Sequence, residues 1–269
     1  MKVLICIISY NASNHIFEVL SRIPKNFEAD IVIFDDASKD NTYELAQDYA
    51  RAHPDKIKVF KNRTNQGYGG NQKIAYTYAI KNGYDIAIML HGDAQYAPEL
   101  LADMAAPIAN DGFDVVLGSR MLDKKKALHG KMPKYKFVGN VALTTFQNIV
   151  LGARLSEYHT GYRAYSTKAL QKIPFESNSD YFEFDTDILI QMIDNKIPIK
   201  EISIPTHYGT EICHVNSVKY GLLVLKSTLL SRLSRLGLFR NPKFDYRHEQ
   251  LQQSHAAFAQ KPAWLEIIK

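Results

Sequence analysis

Polar side chains that carry oxygen follow four short apolar runs in the first hundred residues of this 269-residue chain. Such groups can bind Mg²⁺ or Mn²⁺ and can accept hydrogen bonds from a nucleobase or a sugar. They also cap helices and turns, and we assign Ser38, Asp40 and Asn41 to capping. Adjacent Asp35 and Asp36 fit that alternative less well, because neighbouring carboxylates repel each other. The four segments are Ser9-Tyr10-Asn11, residues 35–42, residues 65–71 and residues 91–95.

The elements that would position these segments alternate between strand and helix. This order predicts a mainly parallel sheet covered by helices on both faces. Ligands of such sheets bind beyond the carboxyl ends of the strands, where all four polar segments lie. The predicted strands are residues 3–9, 31–35, 57–60, 85–90 and 114–117, and the predicted helices are residues 16–22, 42–53, 69–81 and 98–109.

The composition is that of an ordinary globular protein, with 46% hydrophobic and 23% charged residues. These values exclude a disordered chain, a collagen-like repeat and a disulfide scaffold. The two cysteines, Cys6 and Cys213, are far apart and favour a reduced cytoplasmic protein. The sequence contains no run of 18 apolar residues, so no membrane-spanning helix is predicted.

The charge of +5 is unevenly distributed. Residues 1–215 hold 24 basic and 25 acidic residues, whereas residues 216–269 hold 9 basic and 3 acidic ones. A second basic cluster, residues 124–136, contains six lysines and no acid. Both regions favour an anionic partner such as phosphate or an anionic membrane surface, although a solvated lysine loop is the alternative for residues 124–126.

Taken together, these segments resemble family 2 glycosyltransferases of the GT-A fold. The similarity is greatest to dolichyl- or polyprenyl-phosphate hexose synthases, which read Asp-Ala-Asp-Leu-Gln where this chain has residues 91–95. The resemblance covers about residues 3–215 and implies an α/β fold with a Rossmann-like, mainly parallel sheet flanked by helices. Three later segments contribute to it: Gly118-Ser119-Arg120, residues 160–165 and Phe184-x-x-Asp187.

The resemblance also implies how a nucleotide diphosphate sugar, UDP- or GDP-hexose, is held. Ser9, Tyr10, Asn11 and Asp36 would grip the base and ribose, because a carboxylate accepts hydrogen bonds from base N–H groups and ribose hydroxyls. Arg163 would line the sugar side of the cleft with Thr160 and Tyr162, or would instead pair with a nearby acid. Gly67 and Asn71 are the other residues that the resemblance implies in contact with the nucleotide sugar.

A divalent cation, Mn²⁺ or Mg²⁺, is the implied cofactor, since it stabilises a departing diphosphate. The implied ligands are Asp93 and Gln95, which offer oxygen, and His91, which stands where the family has an aspartate. An imidazole ligates Mn²⁺ better than Mg²⁺ and brings no negative charge. We therefore expect a preference for manganese, weaker metal binding, or a histidine that contacts phosphate directly.

An acceptor phosphate is already ionised near neutral pH, so it needs cations rather than a general base. Arg120, Lys134 and Lys136 are the expected contacts for the phosphate of a polyprenyl phosphate, and Arg120 is counted among the catalytic residues with Asp93. If the acceptor is a saccharide hydroxyl, Asp185 or Asp187 would be the base. Capping of the following helix is the alternative for Asp187.

The C-terminal part predicts an amphipathic helix at residues 218–239. Five leucines fall within an arc of about 140° and serines and arginines occupy the other side. Such a helix packs on its own domain, mediates contact between copies, or lies in a membrane interface. The predicted organisation is a catalytic domain at 1–215, this helix within 216–240 and a loosely ordered polar extension at 241–269.

The sequence thus predicts an inverting hexosyltransferase that acts on a polyprenyl phosphate at the cytoplasmic face of a membrane. The alternatives are transfer to a saccharide hydroxyl in polysaccharide assembly and a non-catalytic nucleotide-sugar binder. We expect no nucleic-acid partner, and a homo-oligomer is left open. Within the loop after residue 205, His207 and His214 are further candidates for phosphate contact, with an incidental role as the alternative.

Overall fold

The computed structural model describes residues 1–130, 132–205 and 216–260. The loop with His207 and His214, the boundary predicted at residue 215, and Lys131 lie outside these residues. Seven strands of the described part form one sheet: β1 (Val3–Ser9), β2 (Asp30–Asp35), β3 (Ile57–Lys61), β4 (Ile86–His91), β5 (Val115–Ser119), β6 (Arg163–Ser166) and β7 (Ile199–Ser203).

The sheet has the strand order β3-β2-β1-β4-β6-β5-β7. Six of these strands are parallel and β6 is antiparallel to both of its neighbours. The register pairs Ser9 with Asp35 and Ile8 with His91, so the ends of β1, β2 and β4 meet at one edge. All five predicted strands are present, and the mainly parallel sheet is confirmed.

Helices cover both faces of the sheet, as predicted. Short 3-10 helices at Pro98–Leu100, Phe175–Ser177 and Pro242–Phe244 supplement them. The α-helices are α1 (Ile16–Arg22), α2 (Thr42–Arg51), α3 (Tyr68–Lys81), α4 (Leu101–Asn110), α5 (Lys124–His129), α6 (Lys134–Leu151), α7 (Thr167–Leu170), α8 (Phe184–Asp194), α9 (Ser217–Arg235) and α10 (His248–Ala259).

Two apolar cores lie on opposite faces of the sheet. Leu4 and Cys6 of β1 enter one core, while Ile5 and Ile7 enter the other. Because side chains alternate along a strand and both faces are covered, β1 is apolar along nearly its whole length. The rigid sheet therefore fixes the loops at its carboxyl edge.

Residues 242–260 are more ordered than the sequence predicts. The sequence indicates a loose extension beyond residue 240, but residues 242–244 and α10 pack back on the domain, with Phe244 and Phe258 in the core. His255 of α10 also pairs with the buried carboxylate of Glu176. Scattered aromatic anchors of this kind produce no periodic signal, so composition alone did not reveal them.

Helix α9 confirms a helix where the amphipathic segment was predicted. Ser227, Thr228 and Ser231 of its polar side are buried, whereas Leu229 and Leu233 are exposed. Every helix within the described ranges is too short or too polar to span a bilayer.

Candidate functional site

The turn after β4 holds the three predicted metal ligands. Asp93 accepts a hydrogen bond from the backbone N–H of Gln95 at 3.1 Å. Ala94, between them, has a φ of 61°, a left-handed conformation that folds the turn tightly. His91, Asp93 and Gln95 are all partly exposed, so this rim is open to a ligand.

The His91 ring is held by aromatic side chains and a glycine. Its Nε2 atom lies 3.2 Å from the Tyr68 hydroxyl, and its ring packs edge-on against Tyr96 with centroids 4.9 Å apart. A Cβ atom on Gly161 would lie 2.5 Å from the His91 Cε1 atom, so only glycine leaves room for the ring. Burial lowers the pKa of His91, which keeps the imidazole neutral at neutral pH.

The Tyr68 hydroxyl determines which ring nitrogen of His91 carries the proton. Tyr68 donates to Asp185 at 2.7 Å, so its oxygen accepts from His91 Nε2. This network assigns the proton to Nε2 and leaves the lone pair on Nδ1. His91 is therefore in the protonation state that ligation through Nδ1 requires.

Asp185 links this cluster to the buried Arg163. The Asp185 carboxylate also accepts from Gln72 at 3.2 Å. Arg163 has no exposed surface; it donates to the backbone carbonyls of Thr160 (2.6 Å), Tyr158 and Asp185, and it lies 3.9 Å from the Asp185 carboxylate. The ion pair left open in the sequence analysis is thus present. Arg163 is therefore fully buried and does not lie on the protein surface.

Asp187 lies apart from the rim. Its carboxylate accepts from the Ser227 hydroxyl, from Lys243 Nζ at 2.6 Å and from the Ser179 N–H at 3.1 Å. The side chain is fully buried where α8, α9 and the C-terminal segment meet. The structure therefore does not bring Asp187 together with the other predicted catalytic residues.

At the predicted nucleotide end, the carboxyl ends of β1 and β2 carry unsatisfied oxygen atoms. Ser9 Oγ and Asp35 Oδ2 are buried without a hydrogen-bond partner among the described residues. Burial raises the pKa of Asp35. Tyr10 is 41% exposed beside them, and Asn11 has a φ of 52°. The residues at this end that a ligand can reach directly are the exposed Tyr10 and Asn11.

Asp36, Asn71 and Gly67 organise the loop that borders this end. Asp36 accepts from Asn62, from the Gln66 N–H at 2.7 Å and from the Gly67 N–H at 3.0 Å. Asn71 accepts from the same Asn62 side chain at 3.1 Å. Gly67 has a φ of 81°, and a Cβ atom there would lie 2.5 Å from the Asp180 carbonyl. The three residues are thus brought together, with their polar atoms engaged within the protein.

Arg120 follows β5 and forms an ion pair with a buried glutamate, Glu157, which was not predicted from the sequence. Glu157 has no exposed surface and accepts from the Arg120 guanidinium, from the Arg120 N–H at 2.8 Å and from Asn140 of α6 at 2.9 Å. Burial opposes ionisation, but the Arg120 charge outweighs it and lowers the pKa of Glu157. The Arg120 guanidinium also donates to the His159 carbonyl at 2.8 Å.

Arg120 and the two lysines of α6 differ in how near they lie to the rim. The Arg120 side chain is 15% exposed and donates to the carbonyl of His159, two residues before the Gly161 that packs against the His91 ring, so it lies near the rim. Lys136 is one helical turn before Asn140 and shares its face of α6, whereas Lys134 is exposed at the helix start. The structure thus favours Arg120 and Lys136 as the predicted cations nearer the site.

Four residues of this cluster were not selected from the sequence: Tyr68, Tyr96, Glu157 and His159. His159 Nδ1 lies 2.9 Å from the Tyr220 hydroxyl of α9, and burial lowers the pKa of His159 to about 4. The one available signal was that Glu157 and His159 directly precede the Thr160 segment. Nothing in that spacing specifies contact with Arg120, which is 37 residues away in sequence.

The chain belongs to glycosyl transferase family 2, whose family profile matches residues 4–174. The expected GT-A glycosyltransferase fold is confirmed by solved structures of similar architecture. One of these is glucosyl-3-phosphoglycerate synthase from Mycobacterium tuberculosis in complex with Mn²⁺, UDP and glucosyl-3-phosphoglycerate. It has a TM-score of 0.60 and 15% identity, covering 88% of this chain and 81% of that one.

Two curated relatives are similar in sequence over most of their length. The UDP-N-acetylglucosamine–dolichyl-phosphate N-acetylglucosaminyltransferase of Methanococcus voltae is 30% identical over 81% of this chain and 93% of that protein. The polyprenol monophosphomannose synthase of Mycolicibacterium smegmatis is 25% identical over 76% of each chain. The first is named for transfer of N-acetylglucosamine to dolichyl phosphate and the second for synthesis of polyprenol monophosphomannose.

Proposed function

We propose that this chain transfers a hexosyl group from UDP- or GDP-hexose to a polyprenyl phosphate, with inversion, at the cytoplasmic face of a membrane. The observation that carries the proposal is the cation Arg120, which Glu157 holds and which also donates to the His159 carbonyl, two residues before the Gly161 that packs against His91. A phosphate acceptor needs a fixed cation at this place. The names of the relatives in Methanococcus voltae and Mycolicibacterium smegmatis support the same acceptor class.

The rim residues fit a divalent cation. Asp93 supplies a carboxylate, Gln95 an amide oxygen and His91 a neutral imidazole, and all three are acceptable to Mn²⁺. Among the described residues, no group of three or more His, Cys, Asp or Glu side chains forms a metal site. A cation with so few protein ligands is completed by substrate phosphate and water, as is usual for Mg²⁺-type sites. When bound, it would neutralise the departing diphosphate.

The chain's own residues would position the two substrates. Tyr10 and Asn11, which are exposed at the end of β1, contact the nucleoside, with Ser9 and Asp35 buried beside them. Arg120 holds the acceptor phosphate. A phosphate oxygen then forms a bond to the anomeric carbon as the bond from that carbon to the nucleoside diphosphate breaks. No proton needs to leave the ionised acceptor.

The reaction is tested by incubating the purified protein and Mn²⁺ with labelled UDP- and GDP-hexoses and a short-chain polyprenyl phosphate. We expect a labelled lipid-linked product from one of the donors. Product formed only with a saccharide acceptor would replace this proposal with transfer to a hydroxyl. Donor binding without any product would indicate a nucleotide-sugar binder.

Substitution of Asp185 and of Asp187 should separate a role at the site from a role in stability. We expect Asp185→Asn to lower kcat by at least about tenfold, since it weakens the anchor of Tyr68 and His91. Asp187→Asn should leave kcat within about twofold but lower the free energy of unfolding by about 3 kcal/mol, because it breaks the buried pair with Lys243. Urea unfolding and kcat, measured on the same preparations, check both values.

Lys243→Met is the matched control for the stability arm, since it removes the other partner of the same pair. It should destabilise the protein comparably while leaving kcat unchanged. A tenfold loss of kcat in Asp187→Asn, with normal stability, would instead return Asp187 to the catalytic residues.

A further inference from the structure

Helix α9 turns its small polar side to the protein and an apolar side to solvent. Val224, Ser227, Thr228 and Ser231 are its buried residues. At about 100° per residue, five apolar residues fall within an arc of about 60° on the opposite side. Their exposed fractions run from 40% for Leu233 to 76% for Val218. The five are Val218, Leu222, Leu229, Leu233 and Leu236.

Helix α6 has a second exposed apolar stripe. Tyr135, Val138 and Ile149 are 67%, 64% and 77% exposed and also fall within an arc of about 60°. The buried residues of α6, Thr144, Gln147 and Leu151, lie on its other side. Both helices thus leave an apolar stripe uncovered.

The two stripes belong to neighbouring helices of one layer. A Cβ atom on Gly221 of α9 would lie 3.8 Å from Leu143 Cδ1 of α6, and both helices pack on α8. Together with Leu238 and Phe239 in the next turn, they hold ten of the sixteen exposed large hydrophobic side chains of the described residues. Such a concentration marks an interaction surface. We call it the α6–α9 surface.

The charge around the α6–α9 surface complements anionic lipid headgroups. Neither residues 134–151 nor residues 217–244 contain an aspartate or glutamate. Lys219 and Lys226 border the α9 stripe, within about 40° of its edge. A symmetric dimer through this surface would bring the same cations face to face, which disfavours a second copy as the occupant. Basic residues beside an apolar stripe instead suit the interface of an anionic bilayer.

The inner sides of the same helices line the surroundings of Arg120. Asn140 of α6 donates to Glu157, and Tyr220 of α9 contacts His159. Glu157 and the His159 carbonyl are the groups that hold Arg120. A bilayer that contacts the outer sides of α6 and α9 would therefore be separated from the proposed acceptor site by these two helices.

We propose that the outward sides of α6 and α9 jointly form the docking surface for an anionic bilayer, so that the phosphate of a membrane-embedded acceptor reaches Arg120. The role of this surface in the reaction rests on the proposed function, in which the acceptor is a polyprenyl phosphate. The apolar stripes enter the headgroup boundary and the flanking lysines contact the headgroups.

Vesicle flotation of the full chain tests the surface. The wild type should float with vesicles of phosphatidylcholine mixed with phosphatidylglycerol, and much less with phosphatidylcholine alone. Leu222→Glu/Leu229→Glu on α9 and Tyr135→Glu/Val138→Glu on α6 should each lower vesicle binding roughly tenfold or more. Phe17→Glu, at a residue that is 63% exposed on α1, is the matched control and should bind normally.

The proposal is overturned by a wild type that stays off anionic vesicles, by equal loss of binding in Phe17→Glu, or by a solution dimer that the α9 variant dissociates without any change in flotation. Circular dichroism confirms that each variant is folded. Loss of binding in the α9 variant alone would overturn the joint role of α6.

Turnover assays separate this surface from the proposed reaction. The α9 variant should use a water-soluble short-chain polyprenyl phosphate normally and lose turnover on acceptor embedded in vesicles. If wild type and variant bind vesicles equally while short-chain turnover is normal, the surface is wrong and the reaction stands. If the variants lose vesicle binding as expected but polyprenyl phosphate is never glycosylated, the proposed docking surface is retained and the proposed reaction is rejected.

Discussion

Asp93→Ala is expected to lower hexosyl transfer by about 10²- to 10³-fold while leaving the fold intact. Asp93 supplies the carboxylate of the His91-to-Gln95 turn, and His91 is neutral because burial lowers its pKa. Removing Asp93 would leave the proposed cation with no anionic protein ligand in this turn. The loss should appear in kcat, and Mn²⁺ affinity in the presence of UDP, measured by calorimetry, should fall in parallel.

Asp111→Ala is the control for this variant, because Asp111 is an exposed acid at the end of α4. It should leave both kcat and Mn²⁺ affinity unchanged. Near-normal turnover of Asp93→Ala at saturating Mn²⁺ would remove Asp93 from the metal site. The proposed cation would then have to be held elsewhere.

Arg120→Gln is expected to have two effects of different origin. The buried Glu157 carboxylate loses its charged partner, which should lower the free energy of unfolding by about 3–5 kcal/mol. On the proposed function the acceptor phosphate would also lose its cation, so transfer to polyprenyl phosphate should fall by about 10²-fold or more. Urea unfolding and steady-state kinetics measure the two effects independently.

The double variant Arg120→Gln/Glu157→Gln separates these effects. Because it removes both buried charges, it should recover most of the lost stability but none of the lost turnover. Arg51→Ala provides a matched comparison: its ion pair with Asp48 is solvent-exposed and should contribute less than about 1 kcal/mol. If the double variant recovered turnover together with stability, Arg120 would be a structural residue and the acceptor phosphate would bind elsewhere.

The sheet could be predicted largely from local sequence patterns. Strand β1 and helix α1 have the predicted bounds, because a run of β-branched residues and a helical spacing each describe one element without reference to distant residues. The antiparallel strand β6 was not predicted. Its four residues, Arg163 to Ser166, are too few to show a pattern and lie within a segment selected for its chemistry.

The candidate site was predicted in part. The turn at His91, Asp93 and Gln95 is contiguous in sequence, so its residues had to lie together once β4 formed. Arg163 and Asp187 were selected by the same resemblance, yet both side chains are fully buried. Their burial depends on partners such as Lys243, which is 56 residues from Asp187 in sequence and has no local signal.

By itself, the sequence determined the alternation of strands and helices, the edge at which the polar segments meet and the leucine arc of α9. These follow from local periodicity and from the geometry of parallel sheets. The tertiary structure alone decided that Glu157 holds Arg120, that Asp185 rather than Asp187 joins the His91 cluster, and that α9 buries Ser227 and Ser231 while it exposes Leu229 and Leu233. Each of these depends on which distant surfaces pack together, because a buried charge is stable only beside a partner that the fold brings to it.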